Sequence, residues 1–202
     1  MAIDPKEVYR LREETGAGMM DCKRALEEAG GDYAKAQALI KKKGLEKADM
    51  IAQKSGAGAP KEGRLGVYIH TTGKAAAMVE LNCQTDFVAK NEDFLELMKE
   101  LAVAVVAFNP LVVSKDDLPR EMVEEERKKY ENDIKGKPPQ IAEKIIEGKM
   151  EKNLYSQKCL LSVPYPKEEK FKGTYGDLIK SKVAILKENI VLRRFVRMEV
   201  GG

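Results

Sequence analysis

The sequence predicts an α+β protein, with an N-terminal bundle of three helices followed by a core in which helices pack on a three-stranded antiparallel sheet. Three observations carry this expectation. From Val8 to Ile40 apolar residues recur at three- and four-residue spacing, the period of an amphipathic helix. From Arg64 the period changes to two, and it does so again from Val191 to Val200. Between these strand-like stretches the helical period returns, so helices and strands are segregated rather than strictly alternating.

The elements follow in order. Asp4 is a good N-cap, Pro5 suits the first helical position, Glu7 completes a capping box, and Ile3 with Val8 has the spacing of a hydrophobic staple. Val8 and Leu11 mark the inward face, and Thr15-Gly16-Ala17-Gly18 breaks the helix. A second helix carries Cys22, Ala25, Leu26 and Ala29 and ends at Gly30-Gly31. Asp32 caps a third with Tyr33, Ala36, Leu39 and Ile40, and a further helical stretch covers Leu45 to Lys54. Ser55 to Pro60 reads as a linker by composition. The expected division is therefore a helical domain at 1–54, a linker at 55–63, and an α+β core at 64–202.

In the core, Leu65, Val67 and Ile69 alternate with Gly66, Tyr68 and His70, and Thr71-Thr72-Gly73 makes a hairpin loop. Ala75, Ala77, Val79 and Leu81 alternate with Ala76, Met78 and Glu80. The next helix starts at Thr85 or at Asn91, since both can cap, and its face is Phe94, Leu97, Met98, Leu101, Val105 and Phe108. Asn109-Pro110 stops it. A helical hairpin at about 119–158 follows, with Ile141, Ile145, Met150 and Leu154 as the apolar face of its second arm. Lys172 to Gly176 reads as a loop and Asp177 to Leu186 as a short helix. The last strand places Val196, Met198 and Val200 opposite Arg197 and Glu199.

Composition excludes several function classes. The 36 basic and 33 acidic residues nearly cancel, and only Lys41-Lys42-Lys43 and Arg193-Arg194 form small basic clusters, so no stripe for nucleic acid is expected. The longest apolar run, Leu101 to Phe108, is too short to span a membrane. No apolar signal region opens the chain, and Asp4 with Glu7 argues against a transit peptide. Cys22, Cys83 and Cys159 form no CxxC pair, which fits a reducing cytoplasmic location. The single histidine, His70, sits by a hairpin turn. Neither Gly16-Ala17-Gly18 nor Gly173-Thr174-Tyr175-Gly176 has the setting of a phosphate loop, and no zinc spacing occurs. The sequence offers no catalytic residues, no metal site and no cofactor site.

One segment stands out. Asp86 and Phe87 lie where a strand hands over to a helix, and a carboxylate beside a large apolar ring is well placed there to push into a partner. The same residues also fit a plain structural role, with Phe87 in the core and Asp86 as a helix N-terminal charge. A thiol enzyme built on Cys83 would require an accessible, acidic thiolate, and Cys83 falls in a strand pattern.

Glu80-Leu-Asn-Cys-Gln-Thr-Asp-Phe-Val-Ala-Lys90 and Leu11-Arg-Glu-Glu-Thr-Gly-Ala-Gly-Met-Met-Asp-Cys-Lys-Arg-Ala-Leu26 resemble the two signatures of the elongation factor Ts family. Glu188 to Arg197 is similar to the family's C-terminal strand. The resemblance implies a ubiquitin-associated-like N-terminal domain and a non-enzymatic exchange factor that speeds GDP release from the GTPase EF-Tu. It implies that Thr85, Asp86, Phe87 and Val88 enter the GTPase near its magnesium and phosphate loop, and that Met19, Met20 and Lys23 touch the GTPase domain. One of the two methionines has an alternative place in the bundle core, and Lys23 has one in solvent. The longest family members carry a duplicated core and a coiled-coil insertion. This chain has a single core unit and a short hairpin, so a homodimer is expected to supply the second copy. The competing reading is an adaptor that captures partners through its three-helix domain and gives Asp86 and Phe87 no role.

Overall fold

The computed structural model describes residues 3–55 and 60–202. Helix α1 (Pro5–Thr15) is capped by Asp4, whose Oδ1 accepts from the Lys6 N–H at 2.9 Å. The expected reciprocal box with Glu7 is thus replaced by a tighter bond one residue earlier. Gly16 ends α1 in the left-handed conformation at φ 65°, where a side chain would be strained. Helix α2 (Met19–Glu28) buries Cys22, Ala25 and Leu26 against Val8, Leu11, Ala36 and Ile40, and Ile3 packs on the same cluster, as the staple spacing predicts.

Helix α3 (Tyr33–Lys54), capped by Asp32, runs unbroken where the sequence suggests two helical stretches. Nothing between Ile40 and Leu45 breaks it, since Gly44 alone costs a helix about 1 kcal/mol. Its second half belongs to the larger core. Ala48 is buried among core residues, Gly44 faces Ala184, and Asp49 pairs with Lys180 at 2.8 Å. The bundle is therefore packed on the core rather than held away from it. Of the segment that reads as a linker, residues 56–59 lie outside the described residues, and Glu62 and Gly63 already belong to the first strand.

Strands β1 (Glu62–Ile69), β2 (Ala75–Cys83) and β3 (Val191–Glu199) form an antiparallel sheet in the order β1-β2-β3. The predicted turn joins the first two, with Gly73 at φ 67° and its N–H bonded to the His70 carbonyl at 2.8 Å. Two helical pieces follow β2. These are α4 (Asp86–Ala89) and α5 (Glu92–Phe108), and Thr85 and Asn91 cap one each. Helix α5 covers one face of the sheet, burying Phe94, Leu97, Leu101 and Val105 on Val79 and Leu81. Phe108, expected on this face, is 39% exposed and meets the edge of Tyr175 at the helix end. The chain then forms α6 (Arg120–Lys128), α7 (Pro139–Met150) and α8 (Ser156–Lys158), whose small core contains Leu118, Tyr130, Ile146, Met150, Leu154 and Cys159. Ile141 and Ile145, both expected in that core, lie outside it, Ile141 in the first turn of α7 and 50% exposed and Ile145 half-buried; Ile146 takes their place. Helix α9 (Tyr175–Leu186) starts two residues earlier than expected, because Thr174 and Asp177 form a capping box inside the apparent loop.

Gly63 is the most constrained glycine. Its φ is 147°, and a Cβ there would stand 2.2 Å from the Leu81 carbonyl oxygen, an atom of the paired strand that cannot move aside. We expect Gly63→Ala to lower the unfolding free energy by about 2 kcal/mol or more, through strain and overpacking together. Urea denaturation measures this, and an unchanged midpoint would contradict it.

Candidate functional site

The junction singled out in the sequence is built by a short local hydrogen-bond network and one distant residue. Strand β2 ends at Cys83, and Thr85 stays extended, at φ −129° and ψ 155°. Its Oγ1 accepts from the Val88 N–H at 3.3 Å and so starts α4. The same hydroxyl donates to Glu188 Oε1 at 2.6 Å, while the Gln84 and Thr85 N–H groups donate to Glu188 Oε2 at 3.1 and 3.0 Å. In sequence Glu188 reads only as part of a terminal strand; it lies in the turn between α9 and β3 instead.

Phe87 is 81% exposed, the most exposed of the large apolar side chains among the described residues. It is not in the core. Val88, the next residue, packs on the core and Ala89 is buried, so one face of the α4 turn anchors the segment while Phe87 points away. Asp86 is exposed beside it. The Lys90 ammonium, 2.7 Å away and one helical turn on, holds the Asp86 carboxyl below its usual range. The arrangement presents a bulky apolar ring and an ionised carboxylate side by side on a short, anchored turn.

The other predicted contacts lie on α2. Met20 is 61% exposed, and Lys23 is solvated with a loose ion pair to Glu27 at 3.9 Å. Met19 is half-buried against the bundle core. Of the three residues, Met20 and Lys23 offer surface and Met19 chiefly fills space.

Cys83 cannot serve as a nucleophile. It is fully buried, its thiol donates to the Thr85 carbonyl at 3.2 Å, and burial pushes its pKa up to about 11. Burial pushes Cys159 up to about 11 as well and raises Cys22, whose thiol is equally inaccessible. We expect all three thiols to resist iodoacetamide in the native chain and to react together in denaturant. A thiol whose folded pKa is raised stabilises the fold fully below its unfolded pKa. That stability is lost as pH rises, here from the ordinary 9.0 towards about 11. Thermal melts across this range should show a falling midpoint. Rapid native alkylation of any one cysteine would contradict the assignment. Among the described residues, no group of three or more His, Cys, Asp or Glu side chains is placed to hold a metal.

A second surface emerges on the sheet face opposite α5. Cross-strand rows there run Leu65–Glu80–Arg194, Val67–Met78–Val196 and Ile69–Ala76–Met198. All but Ala76 and Glu80 are exposed. The alternation of β1 and β3 is legible in sequence, yet its more apolar register faces outward. Gly66 and Tyr68 face α5 instead, and a Cβ at Gly66 would stand 2.5 Å from Met98 Cγ. Arg194 meets Glu80 at 2.6 Å at one end of this face.

The chain is similar to proteins known in other organisms. Residues 46–172 match the family model described as elongation factor TS. It is 49% identical to elongation factor Ts of Thermodesulfovibrio yellowstonii, over all of this chain and 98% of that protein. It is 47% identical to elongation factor Ts of Coprothermobacter proteolyticus and 44% identical to that of Fervidobacterium nodosum, in both cases over the full length of both chains.

Proposed function

Since the chain belongs to the elongation factor Ts family, and so to the translation elongation factors, we propose that it is a non-enzymatic guanine-nucleotide exchange factor that binds EF-Tu carrying GDP and promotes GDP release. The observation that carries this reading is Phe87, a solvent-facing aromatic ring beside an ionised Asp86 on an anchored turn. An exposed ring held in this way costs free energy in the isolated chain and gains it when a partner covers it.

The mechanism follows from what holds a nucleotide. Mg²⁺ requires near-octahedral geometry and bridges phosphate oxygens to the GTPase. Insertion of Thr85–Val88 near that ion and the phosphate loop displaces ligands whose geometry tolerates little change. Phe87 fills the displaced space, and Asp86 competes as a charge and hydrogen-bond acceptor. Met20 and Lys23, together with the half-buried Met19, extend the contact from the ubiquitin-associated-like domain, residues 1–54, to the GTPase domain. The factor remains bound until GTP enters. This activity needs no cofactor, metal, nucleic acid or membrane of its own, and belongs in the cytoplasm with the translation apparatus.

Linkage makes the proposal testable. A factor that weakens GDP binding must itself be weakened by GDP in the same ratio. Release of a fluorescent GDP from EF-Tu should accelerate on addition of the chain, and titrating GDP into the complex should dissociate it. Equal affinity for free and GDP-bound EF-Tu would overturn the exchange reading.

We further propose that two chains pair through the open face of the sheet, within the α+β core at 64–202. The face is apolar along two of its three rows, and two such faces can cover one another about a twofold axis. The N-terminal bundle packs on α9 and leaves this face uncovered, which supports a contact that excludes it. Each wedge then faces a separate EF-Tu.

A further inference from the structure

From the hydrogen bonds around the junction, we infer that Glu188 is the positioning residue that presents Asp86 and Phe87, an assignment that rests on the exchange reading above. Its carboxylate accepts from both consecutive backbone N–H groups before the turn and from the Thr85 hydroxyl. Thr85 relays this constraint, because the hydroxyl that donates to Glu188 also accepts from the Val88 N–H. The orientation of Thr85 sets the start of α4, and α4 sets the direction of Phe87.

The residues flanking Glu188 hold it in place. Helix α9 ends at Lys187 in the left-handed conformation, φ 61°, which swings the chain back towards the junction. Asn189, itself buried, donates its N–H to Gln84 Oε1 at 3.4 Å. The other end of the Gln84 side chain donates to Ser55 Oγ at 3.0 Å, at the close of α3. The junction is thus tied at once to the turn before β3 and to the end of the N-terminal bundle. A four-residue helix makes too few bonds to hold one geometry by itself, so the Glu188 carboxylate supplies what α4 lacks.

The chain contains no tryptophan, so Phe87→Trp installs a single fluorescent reporter on the wedge. Time-resolved anisotropy of the introduced indole reads its local motion, and GDP release from EF-Tu by the chain that keeps Phe87 reads function. Glu188→Ala should increase the fast local component of the indole's anisotropy decay. It should also lower the maximal release rate by about tenfold or more, with a smaller change in the concentration giving half-maximal rate. Glu188→Gln keeps the shape and loses acceptor capacity, so it should fall between the two, and it serves as the working variant if Glu188→Ala folds poorly. An indole as restricted in the Glu188 variants as in the parent overturns the inference, and so does a loosened indole with unchanged release. If Phe87→Ala itself leaves release unchanged, the wedge role of Phe87 fails, while the anisotropy still decides whether Glu188 holds the turn.

Discussion

Phe87→Ala is expected to slow GDP release from EF-Tu by about 30-fold and to leave the melting temperature of the free chain where it was. The factor follows from truncating a central aromatic anchor, which costs on the order of 2 kcal/mol at an interface, with each 1.36 kcal/mol worth tenfold in rate. The unchanged stability follows from exposure, because a ring that is 81% exposed contributes little burial to the fold. Val88 and Ala89, which anchor the turn, are untouched by the substitution. Stopped-flow release of fluorescent GDP and a thermal melt measure the two halves separately. A large drop in melting temperature would return Phe87 to a structural role, and unchanged release would remove the wedge. Asp86→Ala should slow release in the same direction. Its ion pair with Lys90 is exposed on both sides and contributes little to folding, so the effect reports the partner contact.

Met78→Arg should convert the chain from a dimer to a monomer. Met78 sits in the middle of the central row of the open sheet face, between Val67 and Val196. A guanidinium there would be buried without a partner on pairing, and two copies would be brought together about the twofold axis. Loss of apolar contact and desolvation of unpaired charge weaken association by several kcal/mol, so the dimer dissociation constant should rise on the order of a thousandfold. The fold should persist, because Ala77, Val79 and Leu81 point to the other face and keep their packing under α5. Light scattering at micromolar concentration should give twice the 22.5 kDa chain mass for the parent and the chain mass for the variant. A monomeric parent would refute the dimer and leave the exchange function standing.

Much of the fold is legible because its signals are local. Caps at Asp4, Asp32, Thr85 and Asn91 satisfy backbone donors within a few residues of themselves. The period change at Arg64 reports the pleat of a strand directly. Where local signals conflict, the sequence misleads. A lone glycine at 44 does not divide α3, and Thr174 turns an apparent glycine loop into a helix start. In α7, Ile141 and Ile146 are both apolar, and only the position of Tyr130 and Leu154 decides which of them is covered.

The sequence by itself determined most of the elements, the caps at Asp4, Asp32, Thr85 and Asn91, the strand–helix junction at Thr85 and the family to which the chain is similar. All of these depend on residues close together in the chain, or on long runs of identity. Tertiary structure alone decided that Phe87 faces solvent, that Leu65, Val67 and Ile69 lie on the open side of the sheet, and that Glu188 clasps the junction. The physical reason is common to the three. Hydrophobicity states that a side chain favours burial but not which surface will cover it, and a hydrogen bond between distant residues leaves no local pattern at either end.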